Sequence, residues 1–235
     1  MKARELPEVF PWNVKVEVNE KIFIRDPQQT ELGRKILVTG VKMIDRLGLE
    51  EFTFKKLATE LHTNESSLYR YFESKHKLLL YLFQWYWRWM EYQLALNLQT
   101  VSDPLAKIDI LINLLMMRVE NVKSDAKGID KITLHRIVVK EASKAYLTRH
   151  VYKDNRNQFF KPYKDFCGRM AKVILEYNPN YPFARSLSST VIEMSHYQTY
   201  FMNNLPSLTD FGVAKNNEQV VAFLKHLILS SVKPK

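Results

Sequence analysis

The sequence predicts an all-α protein in which three short helices at about 30–80 precede a bundle of longer helices at 81–235. Three observations carry that expectation. Apolar residues recur at spacings of three and four from Thr30 almost to the C-terminus, the period of a helix with one buried face. Ser, Thr, Asn or Asp stands at the head of run after run, where a side-chain oxygen caps a helix. Glycine is scarce, at 6 residues in 235, so tight turns between many short strands are not expected.

Residues 1–29 form an arm apart from the bundle. Within it VKVEVNEKIFIR (14–25) alternates apolar and polar side chains around Asn19-Glu20, the period of a short β-hairpin or an extended strand. From Thr30 the period becomes helical, with Leu37, Val41 and Ile44 on one face and Gly48 as a stop. Thr53 then caps FKKLATEL (54–61), Asn64 caps ESSLYRYF (65–72), and Ser74 caps a long apolar helix. Asp103-Pro104 opens a further helix carrying Leu105, Ile108, Ile112, Leu115 and Val119. The stripes Phe159–Tyr177 and Phe183–Phe201 hold the same period, and Asn216 with Gln219 makes a capping box for the last helix.

Composition narrows the function classes. A chain that is 46% hydrophobic and 26% charged belongs to an ordinary globular protein. It contains no run of ~18 apolar residues that would span a membrane and no apolar leader, so the cytoplasm is the expected compartment. The net charge of +10 favours a polyanionic partner. That excess does not mark the contact surface, because residues 1–87 carry 14 Lys+Arg against 12 Asp+Glu. Residues 118–164 hold 12 against 5, which reads first as a solvated helix face and second as a site for an anionic effector or a membrane surface.

Two short helices joined by a few residues make a helix-turn-helix, whose second helix must be slim and polar enough for the major groove. Glu65, Ser66 and Ser67 open that helix, Leu68 and Phe72 face the bundle, and Tyr69 and Arg70 point outward. The segment from Gly33 to Leu82 resembles the DNA-binding domain of the TetR family of transcriptional regulators. The residues that carry the likeness are Gly48, Thr53, Leu57-Ala58 and above all LYRYFESKHKLL (68–79). Two departures stand out: His62 and Thr63 replace the glycine and small apolar residue of the turn, and Gly40 replaces an alanine. The resemblance implies that Ser66, Ser67, Tyr69 and Arg70 read bases, that Thr53 and Lys75 hold phosphate, and that Tyr71 touches the sugar-phosphate backbone.

The same resemblance implies that residues 81–235 bind an effector and dimerise. The partners expected are a palindromic double-stranded operator, a small apolar or amphipathic ligand and a second copy of the chain, with the protein acting as a repressor released by that ligand. Leu187, Met194, Leu224 and Leu227 are the candidate dimer contacts. The candidate pocket residues are Trp89, Met116, Phe159, Tyr163, Cys167, Met170, His196 and Tyr200, with His196 and Tyr200 at i, i+4 placed to orient a ligand. Packing in an ordinary core is the competing account of each. The aromatic cluster Trp85, Tyr86, Trp87, Trp89, Tyr92 lies around a helix, so it reads as core or pocket wall rather than a platform for single strands.

No cofactor or metal is expected: the six histidines are scattered without ligand spacing, and Cys167 has no cysteine partner. Phosphate loops, dinucleotide fingerprints and nucleophile elbows are absent from the sequence, so an enzyme is not expected. The rival functions are a constitutive DNA-binding protein without an effector and, further off, an enzyme using the helical pocket.

Overall fold

The computed structural model describes residues 16–118, 128–213 and 215–233. Helix α1 (Glu31–Glu51) starts at Thr30, whose side chain accepts from Gly33 N. It buries Leu37, Val41 and Ile44 as their spacing requires. Gly48 takes φ +75°, a conformation open to glycine but strained for other residues, and breaks the helical geometry there; one more turn follows before Phe52. Helices α2 (Phe54–Glu60) and α3 (Glu65–Tyr69) complete a three-helix unit around Phe52, Leu57, Leu68 and Phe72, all fully buried.

Helix α4 (Lys75–Leu98) leaves this unit and becomes the axis of the remainder. It is buried on nearly every side because α5 (Pro104–Leu115), α6 (Lys131–Tyr146) and α8 (Lys161–Tyr177) pack around it. The short α7 (Val151–Arg156) lies beside its first turns, with Asp154 Oδ2 3.7 Å from His76 Nε2. Helix α9 (Ala184–Asn204) covers α6 and α8, and α10 (Asn217–Ser231) lies against α9 and α5. No helix among the described residues is long and apolar enough to cross a membrane.

The hairpin expected at 14–25 does not form over residues 16–25. Asn19 accepts from Lys21 N and closes a 3-10 turn at Glu20–Ile22. The edge that a second strand would have used is taken elsewhere: Ile24 N donates to Tyr71 O at 2.8 Å, and Asn19 N donates to Gln84 Oε1 at 2.9 Å. Asn-Glu lacks the glycine a two-residue turn prefers, and the alternating Val16 and Ile22 are buried against helices instead of a paired strand. A second 3-10 turn, Pro27–Gln29, presses so closely on α1 that a Cβ on Gly33 would lie 2.3 Å from Pro27 O. Residues 1–15 of the arm and Val119 of the fifth helical stripe lie outside the described residues.

Candidate DNA-binding surface and the core behind it

The surface is built from caps. Thr53 Oγ1 accepts from Lys56 N at 3.2 Å and starts α2. Asn64 Oδ1 accepts from Ser67 N at 2.9 Å and from both Ser66 Oγ and Ser67 Oγ at 2.7 Å, so one side chain fixes the start of α3 and both its serines. His62 takes the positive φ of the turn, at 51°. Buried Leu68 turns the other face of α3 outward: Ser66, Tyr69 and Arg70 are exposed and Ser67 half-buried. The Tyr69 ring stands edge-on to Phe54 at 5.1 Å. Its hydroxyl donates to Glu65 Oε1 at 3.3 Å, and its pKa is raised by partial desolvation and by that carboxylate.

The other two proposed contacts are engaged inside the chain. Tyr71 is buried, with its hydroxyl 2.7 Å from Thr30 Oγ1. Lys75 Nζ donates to the carbonyls of Leu49 and Glu50 at 2.8 Å each and of Phe52 at 3.1 Å, using all three of its N–H bonds to tie α4 to the end of α1.

Residues 36–82 match the family model described as bacterial regulatory proteins, tetR family. Over these residues the chain is similar to the DNA-binding domain of TetR-family regulators. The all-helical fold is matched by solved structures of low identity. The ketosteroid transcriptional regulator KstR2 of Mycobacterium tuberculosis superposes with a TM-score of 0.57 at 14% identity, over 90% of this chain and 100% of that one. AibR, solved in complex with isovaleryl coenzyme A and operator DNA, gives 0.56 at 14% identity over 83% and 96% of the two chains. Apo AibR gives 0.50 at 13% identity over the same shares. No curated protein matches the chain by sequence.

Behind the three-helix unit, the core holds a cluster of aromatic and imidazole rings. Trp87 packs on Tyr163 at 4.7 Å, Phe166 at 5.2 Å and His196 at 6.2 Å between ring centroids. His196 faces His135 at 6.3 Å, and His135 Nδ1 is 2.9 Å from Tyr86 Oη. Burial lowers the pKa of both imidazoles, to about 3 for His135, where the neighbouring His196 adds to the effect, and to about 4 for His196. Both are therefore neutral. Among the described residues, Trp87 Nε1, Trp89 Nε1 and both ring nitrogens of His196 are buried without a hydrogen-bond partner, a costly state for donors and acceptors inside a protein.

Of the eight candidate pocket residues, contacts join Tyr163 and His196 through Trp87, with buried Trp89 reaching the group through Tyr86. Phe159 lies elsewhere, its ring 4.4 Å from Lys77 Nζ. Tyr163 Oη donates to Glu193 at 2.7 Å, and Cys167 Sγ is 3.7 Å from Arg185 O. Burial raises the Cys167 pKa, which keeps the thiol protonated. Met170 and Met116 are buried, and Tyr200 is half-buried. Sequence reasoning placed Tyr86 and Trp87 in a core or pocket wall but missed His135, because nothing local marks a histidine of α6 as the partner of a tyrosine on α4. Of the candidate dimer contacts, Leu187 and Leu224 are buried within the single chain, while Met194 and Leu227 are half-buried on α9 and α10. Phe183 and Tyr197 are exposed on α9.

Proposed function

We propose that two copies of this chain bind an imperfect palindrome as a non-catalytic cytoplasmic repressor, released when a small apolar or amphipathic molecule enters the core of residues 81–235. The observation that carries the DNA-binding half is the capped α3, which presents Ser66, Tyr69 and Arg70 on one exposed face. Small and planar polar groups on a slim helix suit base edges, while Thr53 at the start of α2 suits phosphate. Helices α9 and α10 supply the dimer surface through exposed Phe183 and Tyr197 with half-buried Met194 and Leu227, and buried Leu187 and Leu224 support it from beneath.

The effector half rests on the indole N–H groups of Trp87 and Trp89 and the two nitrogens of His196. A ligand with a carbonyl or carboxylate among apolar carbons would accept from the indoles and from the one N–H of His196 while its body displaces ring-to-ring packing. AibR has been solved with isovaleryl coenzyme A and KstR2 is a ketosteroid transcriptional regulator, so acyl thioesters and steroid ketones head the compounds to screen. Thermal-shift screening followed by operator titration tests the proposal. An effector that favours the DNA-incompetent shape by ~1–3 kcal/mol lowers operator affinity by ~5–150-fold. Tight operator binding that no stabilising compound weakens would favour the constitutive alternative. Light scattering on the free protein should give the mass of a dimer.

A further inference from the structure

We propose that the cavity between the N-terminal arm and helices α4 and α8 is a second small-molecule site, suited to a free amino acid or a comparably short zwitterion. The cavity measures about 610 Å³, within the ~300–1,000 Å³ of ordinary ligand pockets. None of the eight candidate effector residues lines it, so the site is separate from the His196 core and its use goes beyond the function proposed above.

Its two walls carry opposite charge. The scaffold side presents Arg88 of α4 and Lys161 of α8. The arm side is lined by the acidic residues Glu17, Glu20 and Asp26, the last also accepting from Gln28 N at 2.9 Å. Arg88 pairs with Glu91 at 3.0 Å and lies 3.9 Å from Asp165, the partner of Lys161, but neither acid lines the cavity. Arg88 Nε is shielded from solvent and has no hydrogen-bond partner among the described residues. Between the walls, Gln84 is fixed at both ends: its Oε1 accepts from Asn19 N at 2.9 Å and its Nε2 donates to Phe159 O at 2.7 Å. That part of the lining is therefore preorganised.

A ligand bearing a carboxylate at one end and an ammonium at the other meets both walls with charge-assisted hydrogen bonds. An anion alone satisfies Arg88 and Lys161 but stands opposite three carboxylates, and a cation alone has the reverse fault. The volume is too small for a folded partner and too polar for an acyl chain. Binding would also join the arm to the scaffold. That arm is tied to the end of α3 by Ile24 N on Tyr71 O and by Thr30 on Tyr71, so the ligand reinforces a strap running from the DNA-binding unit to residues 84 and 157.

The test is isothermal titration of the full-length protein, without DNA, against the standard free amino acids, their N-acetyl derivatives, their amides and inorganic phosphate. At least one amino acid should bind, with N-acetylation and amidation each weakening it by about tenfold or more, the loss of one charge-assisted contact. Arg88→Gln should have the same effect. Lys161→Gln, at an exposed position, repeats the test if the Arg88 variant folds poorly. Binding of phosphate alone, or equal binding of the N-acetyl forms, overturns the zwitterion assignment; so does the absence of binding by every amino acid. Because no operator is present, any of these failures leaves the DNA-binding and effector proposals standing.

Discussion

Lys75 shows how a single side chain can serve two different roles, and measurement separates them. Its three carbonyl partners close the joint between α1, α2 and α4, so Lys75→Met should lower unfolding stability by about 1 kcal/mol, the value of a partly exposed charge-assisted contact. Urea titration checks this. A variant of unchanged stability, with a salt slope of operator binding lower by ~1 per subunit, would instead identify a phosphate contact. Arg70 is exposed at the end of α3. Arg70→Ala should leave stability within about 0.5 kcal/mol and cost ~1–3 kcal/mol in preference for the operator. At Gly40 a Cβ would meet only Leu78 Cδ2, at 3.4 Å. Gly40→Ala should therefore stabilise α1 by about 0.5–1 kcal/mol, read from the same urea curves. Gly33 is the opposite case, because Pro27 O occupies the place its Cβ would need.

At the scale of elements, α6 is the part that joins the two halves of the chain. One face sends Arg136 to Asp45 at 2.8 Å, Lys140 to the same carboxylate at 3.4 Å and Lys144 to Glu50 at 3.0 Å. Burial works to raise the Asp45 pKa, but these cations outweigh it and the net shift is downward. Glu141, buried on the same helix, accepts from Leu49 N at 3.1 Å just after the break at Gly48. The other face carries His135 against Tyr86 and His196. A double-mutant cycle on exposed Arg136 and half-buried Asp45 should return no more than about 1 kcal/mol. Glu141→Ala, which strips a buried amide of its acceptor, should cost about 1–3 kcal/mol in thermal or urea unfolding.

Little of this helix was legible in the sequence. Its cations read as a solvated basic run, because the acids they meet stand some ninety positions earlier, on α1. The DNA-binding unit was legible because its caps and apolar spacing are local: Thr53, Asn64 and Ser74 each bond within three residues. The arm was not, since its alternation fits a strand equally well and only the distant Tyr71 and Gln84 decide against one.

For the whole molecule, the buried histidines set a dependence on pH. His135 and His196 stay neutral in the folded chain down to about 3 and about 4, whereas an unfolded imidazole takes up its proton near 6.5. The unfolded state therefore binds more protons as pH falls, and stability is lost from about 6.5 down to about 4 for His196 and about 3 for His135, while remaining complete above that range. The limiting slope is about 1.4 kcal/mol per pH unit for each histidine. Urea midpoints compared at about pH 7 and about pH 5 should show the fall, and midpoints that coincide would mean that the two rings are hydrated.

The crowding of indoles on α4 has an optical consequence. Of the four tryptophans, Trp85, Trp87 and Trp89 sit within five consecutive residues, and Trp87 and Trp89 have almost no exposed surface. Tyr86 stands 5.0 Å from Trp87, and Tyr163 is 4.7 Å away on the other side. Light absorbed by these phenols passes efficiently to indole, and emission from an apolar setting lies toward the blue. Protonation of His196, 6.2 Å from Trp87, would quench that emission. The intrinsic fluorescence of this protein thus reports chiefly on one helix, beside the rings an effector would disturb, and can follow events there without an added dye.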